Sequence, residues 1–152
     1  MLNKICIIDT NYFCCWLNIP GKNTAGELNH NKATKIIEDK IKNNYLFALA
    51  YSVLIETGNH IANSSDYRYK NAEKFMDFLN KSLDETKPWL AFRDQHTFLQ
   101  SNYLKNMAKD WKNHAVEKIS FTDITLIELL NFYQNHLLIY LIHFCRISIN
   151  LI

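Results

Sequence analysis

Three acids in separate segments have the residue type and the setting for a divalent-metal site. Asp9 closes the apolar run Lys4-Ile5-Cys6-Ile7-Ile8-Asp9. Glu56 lies in the first turn or so of a helix expected after a second apolar run, Tyr45 to Ala50, and Asp123 opens a late apolar segment after Ile119-Ser120-Phe121-Thr122. Carboxylates this far apart in the chain meet only through the fold, and their meeting is unfavourable. At an effective dielectric near 20, two unit charges about 4 Å apart repel by roughly 4 kcal/mol. A cluster therefore needs bound protons or a divalent cation. Oxygen ligands without neighbouring Cys or His favour Mg²⁺ or Mn²⁺ over zinc.

Each acid also has a purely structural reading. Asp9 before Thr10-Asn11 suits a helix cap or an Asx turn. Glu56 suits a solvated position near a helix N-terminus, where the dipole favours negative charge. Ser120-x-x-Asp123 has the form of a capping box with Asp in place of Glu. His60, four residues after Glu56, shares its helix face and suits either a phosphate or a local hydrogen bond. Arg68, Lys70, Arg93 and Lys105 are the cations available for phosphate contacts, or equally a solvated face. The spacing of Tyr103 and Trp111 reads as core before it reads as a base-stacking platform.

The elements that must position these groups follow from apolar patterning. Lys4 to Asp9 has no polar alternation, as in a strand covered on both faces. Leu17 to Asn31 is polar and holds most of the Gly and Pro, which predicts a loop. Residues 32–43 carry Ala33, Ile36, Ile37 and Ile41 near helical spacing. A second strand over Tyr45–Ala50 precedes a helix for which Ser52 is the expected cap. Further helices follow, one with Ala72, Phe75, Met76, Leu79 and Leu83 on one side and ended by Lys87-Pro88, and one with Leu99, Tyr103, Met107 and Trp111 four residues apart. A nearly all-round apolar helix, Thr122 to Gln134, leads to a last strand at Leu137–His143. This alternation predicts a three-layer α/β/α sandwich with a mainly parallel central sheet. Function then collects beyond the carboxyl ends of the strands.

The 152 residues make one domain of ordinary size, 1–152, with an atypical apolar segment at 137–152. A hydrophobic share of 48% with 21% charged residues is that of a globular chain, and 3 Gly and 2 Pro exclude collagen-like or linker-rich classes. Seventeen basic against fifteen acidic side chains give a net charge of +2, too near balance for bulk charge to indicate a nucleic-acid binder. Cys6, Cys14, Cys15 and Cys145 form no C-x-x-C pair, which argues against zinc and against a disulfide framework, and Cys6 reads as a buried free thiol. The N-terminus lacks a signal-peptide pattern and the last apolar stretch is broken by polar residues, so a cytoplasmic protein without a membrane span is expected.

The words around the acids resemble the PIN domain family of metal-dependent nucleases. Ile5-Cys6-Ile7-Ile8-Asp9-Thr10-Asn11 is similar to the family's opening strand and Asp-Thr/Ser-Asn/Ser. Tyr51-Ser52-Val53-Leu54-Ile55-Glu56 resembles its second block, and Ser120-Phe121-Thr122-Asp123 with Ile124-Thr125-Leu126-Ile127 its third. The ordered trio spans most of the chain. The resemblance implies a PIN-like fold and an endoribonuclease in which Asp9, Glu56 and Asp123 are both catalytic and metal ligands for one or two Mg²⁺ or Mn²⁺ ions. It implies Thr10, Asn11 and Thr122 as positioning residues, RNA as substrate, and the toxin of a toxin–antitoxin pair. A small antitoxin covering the acidic pocket and homodimerisation are the implied partners. The chain departs from the family at its end. The place of a further acid reads Leu141-Ile142-His143-Phe144-Cys145-Arg146, and no Asp or Glu follows Glu128. That loss makes a catalytically weak PIN fold that binds RNA or protein the alternative, beside a DNA nuclease with the same metal chemistry.

Overall fold

In the computed structural model, which describes residues 3–21, 27–84, 86–90, 100–136 and 140–145, the chain is a mainly helical α/β protein built on a small parallel sheet. The central strand is β1 (Asn3–Ile8), flanked by β2 (Tyr45–Leu49) and β3 (Tyr140–Cys145) in the order β2-β1-β3. Both pairings are parallel, with Ile8 opposite Leu49 on one side and Cys145 on the other. Ile5, Cys6, Ile7 and Ile8 are each at most 1% exposed, so successive side chains pointing to opposite faces all find cover. Trp89 forms a single bridge to Phe47, whose backbone donates to Pro88 and accepts from Leu90, and this blunts the outer edge of β2.

Helix α1 (Thr10–Leu17) starts directly after β1 and ends at Asn18, whose left-handed backbone returns its N–H to the carbonyls of Cys14 and Cys15. It is followed by α2 (Glu27–Lys42), α3 (Tyr51–Ala62), α4 (Arg68–Leu83), α5 (Ser101–Val116) and α6 (Phe121–His136). The core lies where the sheet meets α1, α2, α3 and α6, with Tyr12, Phe13, Phe47, Leu49, Val53, Leu126, Leu129 and Tyr133 all within 2% of full burial. An aromatic cluster extends it, Phe78 meeting Phe13 and Trp89 edge-on at 4.7 and 4.3 Å between ring centres.

Several expectations need correction. The loop expected over Leu17–Asn31 gives way to helix from Glu27, where Asn29 and His30 are half-buried and His30 meets the Cys15 carbonyl at 3.2 Å; residues 22–26 lie outside the described ones. Ser52 does not cap α3, since the cap position is Ala50 and no side chain closes that end. On α4, Ala72, Phe75 and Leu79 of the expected stripe pack half-buried against the core beside the buried Asn71, Phe78 and Ser82, while Met76 and Leu83 are exposed, and the helix starts four residues before Ala72. Of the four-residue stripe on α5, Met107 is buried, but Trp111 is exposed, with its indole donating to the Ile119 carbonyl at 3.3 Å. Leu99 and Arg93 lie outside the described residues, as does Leu137, where the last strand was expected to begin. Cys6 is disulfide-bonded, against the free thiol expected; spacing along the chain carries no information on which cysteines meet in space.

The buried α1 sets the alkaline limit of stability. Burial, then the charges of Asp9 and Cys15, raise the pKa of the Tyr12 hydroxyl, which donates to the Ala33 carbonyl at 2.8 Å. Burial and then Asp9 raise the Cys15 thiol as well. Both groups hold their protons more tightly when folded, so their contribution is present below the ordinary values of 9.0 and 10.0 and is lost as pH rises through them toward the folded ones. Urea midpoints are expected to stay level up to about pH 8 and then fall, each group costing up to about 1.4 kcal/mol per pH unit. A Cys15→Ala protein should show the later, tyrosine-linked part of that decline alone.

Candidate active site

Asp9 sits at the carboxyl end of the central strand, between neighbours reached by opposite crossovers, which is where parallel sheets open a crevice. It is 6% exposed, and its Oδ1 accepts from the Tyr12 backbone N–H at 2.7 Å as the N-cap of α1. The adjacent Thr10 hydroxyl donates to Glu56 Oε2 at 2.7 Å across 46 residues of sequence, joining α1 to α3. The other oxygen of Glu56 lies 3.7 Å from His60 Nε2, one turn further along α3. Asp123 closes the predicted capping box at the start of α6: Oδ2 accepts from the Ser120 hydroxyl at 2.7 Å and the Ser120 N–H at 3.1 Å, and the Asp123 N–H donates back to that hydroxyl.

All six residues expected at the site line one cavity of about 240 Å³: Asp9, Thr10, Asn11, Glu56, Thr122 and Asp123, joined by Ser120 and Leu126. The structural and functional readings of Asp9 and Asp123 are thus not exclusive, since one residue caps a helix and faces the cavity. Among the described residues, no group of three or more His, Cys, Asp or Glu stands placed to hold a metal ion. The three carboxylates share a cavity, therefore, without converging on one point. As a donor set they suit a hard divalent cation: oxygen ligands on three different elements, in a cavity with no thiol in its lining.

No family model, curated protein or solved structure matches this chain. The site rests on its own geometry.

One device at the site has no signal in the sequence. Thr125 Oγ1 donates to the Thr122 carbonyl at 2.7 Å and also bonds the Ser52 hydroxyl. Because the Thr125 proton is spent on Thr122, Ser52 is the donor to Thr125. This hydroxyl chain ties α3, one turn before Glu56, to the turn of α6 that carries Thr122 and Asp123. Ser52→Ala and Thr125→Val are each expected to cost about 1 kcal/mol in urea unfolding. The double variant should cost clearly less than the sum, because both substitutions remove the same bond.

The cations considered for phosphate contacts do not reach the cavity lining: Arg68 and Lys70 stand on α4 and Lys105 on α5, all exposed. No helix among the described residues is long and apolar enough to cross a membrane.

Proposed function

We propose that the chain is a metal-dependent endoribonuclease of PIN type, its helices and sheet forming that family's three-layer α/β/α sandwich. The observation that carries the reading is the shared cavity, which gathers Asp9, Glu56 and Asp123 from three remote segments together with Thr10, Asn11 and Thr122.

Since Asp9, Glu56 and Asp123 do not stand placed to hold one ion between them, Mg²⁺ or Mn²⁺ would be held by one or two of these carboxylates together with its own waters, and would supply a water of lowered pKa and offset charge on the scissile phosphate. The chain's own residues do the positioning. Thr10 holds one oxygen of Glu56 by its hydroxyl, and His60 stands against the other, so the carboxylate is oriented by two neighbours. Exposed Asn11 puts an amide at the cavity for a phosphate oxygen. Ser120 fixes Asp123 at the head of α6. RNA is the substrate, and a small antitoxin protein is the partner such a toxin would have.

A second reading is favoured by two specific observations. The carboxylates of Asp9 and Asp123 already serve as caps, and no acid follows Glu128. The same fold would then bind RNA without cutting it.

Titration calorimetry with Mn²⁺, run beside cleavage of structured RNA with and without EDTA, separates the two. The nuclease predicts Mn²⁺ binding weakened about 10–100-fold by Glu56→Gln and cleavage abolished by chelation. RNA binding with no cleavage and no response to Mn²⁺ selects the second reading. Equal cleavage of DNA in parallel reactions would make the substrate class broader than RNA.

A further inference from the structure

Beyond the acidic cavity, the corner between α3 and α4 carries an exposed aromatic and basic surface. Tyr67 and Tyr69 are 71% and 79% exposed, the two tyrosines most open to water among the described residues. Arg68 and Lys70 alternate with them, both exposed. Single exposed aromatics are ordinary, but two rings interleaved with two cations within four residues are the composition of a surface that stacks bases and neutralises phosphates.

The corner is preorganised. The Arg68 Nε donates to the Ser64 carbonyl at 2.6 Å, and the Ser64 hydroxyl donates to the Ile61 carbonyl at 2.8 Å, so the guanidinium is fixed at one nitrogen while the rest of its donors remain available. Among the described residues, no carboxylate forms an ion pair with Arg68 or Lys70, although Asp66 and Glu73 are near in sequence. Tyr67 is held in the left-handed region at φ 56°, an unfavourable conformation for an aromatic residue, and it places the ring outside the helix it begins.

The patch is also within reach of the site. Six residues of α3 separate Glu56 from Ala62, about 9 Å of helix rise, and a short connection then leads to Tyr67. A strand of a few nucleotides covers that span. Complementarity decides the occupant: paired cations beside bare π-faces suit a flexible polyanion with unstacked bases, and duplexes offer no such bases.

We infer that Tyr67 and Tyr69, with Arg68 and Lys70, form a stacking platform for single-stranded RNA entering the acidic cavity. The inference rests on the ribonuclease reading for its substrate, but it concerns binding and is tested without catalysis.

The probe is a fluorescently labelled oligouridine 12-mer, its binding followed by anisotropy in EDTA over a series of salt concentrations. Tyr67→Ala with Tyr69→Ala is expected to weaken binding at least tenfold with little change in salt slope. Tyr67→Phe with Tyr69→Phe should stay within about twofold, because the π-faces survive; it also controls for any local unfolding in the alanine protein. Lys70→Gln should lower the magnitude of the salt slope by about 0.7, as expected for one phosphate contact on a single strand. The same affinity for the alanine and native proteins would overturn the platform, as would no binding by the native chain. Cleavage that depends on Mn²⁺ but ignores these tyrosines removes the platform alone. Tyrosine-dependent binding without any metal-dependent cleavage removes the nuclease reading and leaves the platform standing.

Discussion

Asp9→Asn should lower Mn²⁺-dependent RNA cleavage by about 10²–10³-fold while leaving the unfolding transition nearly where it was. The two halves of that result come from the two jobs of one side chain. As a cap, Asp9 needs only an oxygen to accept from the Tyr12 N–H, and Asn supplies one at a position where it is as favourable as Asp. As a ligand, it needs a negative charge, which Asn lacks. Asp9→Ala removes both, so it should match Asp9→Asn in lost cleavage and add a stability cost of about 1 kcal/mol. An internal readout accompanies the pair. Asp9 is the second cause, after burial, of the raised Cys15 thiol. Either substitution should therefore let the Cys15 pKa relax part of the way down, seen as a smaller thiol-linked decline of the urea midpoint at alkaline pH. A cleavage loss in Asp9→Ala that Asp9→Asn fails to share would make the acid a structural cap and nothing more.

How much of this was readable beforehand depends on whether a local pattern encoded it. β1 and β2 were legible because a strand buried on both faces is a plain apolar run, and each strand ends one residue before the end of its expected run. Asp9 and Glu56 were legible by their places after such runs and Asp123 by its capping-box pattern, and the three line one cavity without meeting at one point. α1 was not, since Tyr12, Phe13, Cys14, Cys15 and Leu17 are buried round most of the helix and leave no amphipathic period to count. The start of α2 was hidden for the opposite reason, a polar stretch that reads as loop until its partner surface is known. On α4 the side holding Ala72, Phe75 and Leu79 was legible, but its most buried ring, Phe78, was not, because the aromatic cluster that draws it inward lies on other elements, and Met76 stays exposed. Which oxygens of the acids are engaged, and the Ser52–Thr125 tie across 73 residues, are facts of tertiary contact that no spacing rule carries.

Phe13→Ala is expected to be the most damaging core substitution at the site's support, costing about 3–5 kcal/mol in urea unfolding. Phe13 is fully buried and meets Trp16, Phe75 and Phe78 at 5.8, 6.4 and 4.7 Å between ring centres, so this ring, with Trp16 against Phe78 at 5.8 Å, pins α1 to α4. Its backbone N–H makes the first helical bond of α1, to the Asp9 carbonyl at 3.0 Å. The ring and the cavity are thus opposite consequences of the same short helix, one face sunk in aromatic core and one end presenting Asp9, Thr10 and Asn11. Set against a typical total of about 5–15 kcal/mol, the loss would leave a substantial unfolded fraction at 37 °C. Phe13→Leu keeps most of the volume and should cost less than half as much. Ile55→Ala, at a residue 67% exposed on α3, should move the midpoint by no more than about 0.5 kcal/mol. If Phe13→Ala melts like Ile55→Ala, α1 is not held by this cluster, and the positions of Asp9 and Thr10 need another support.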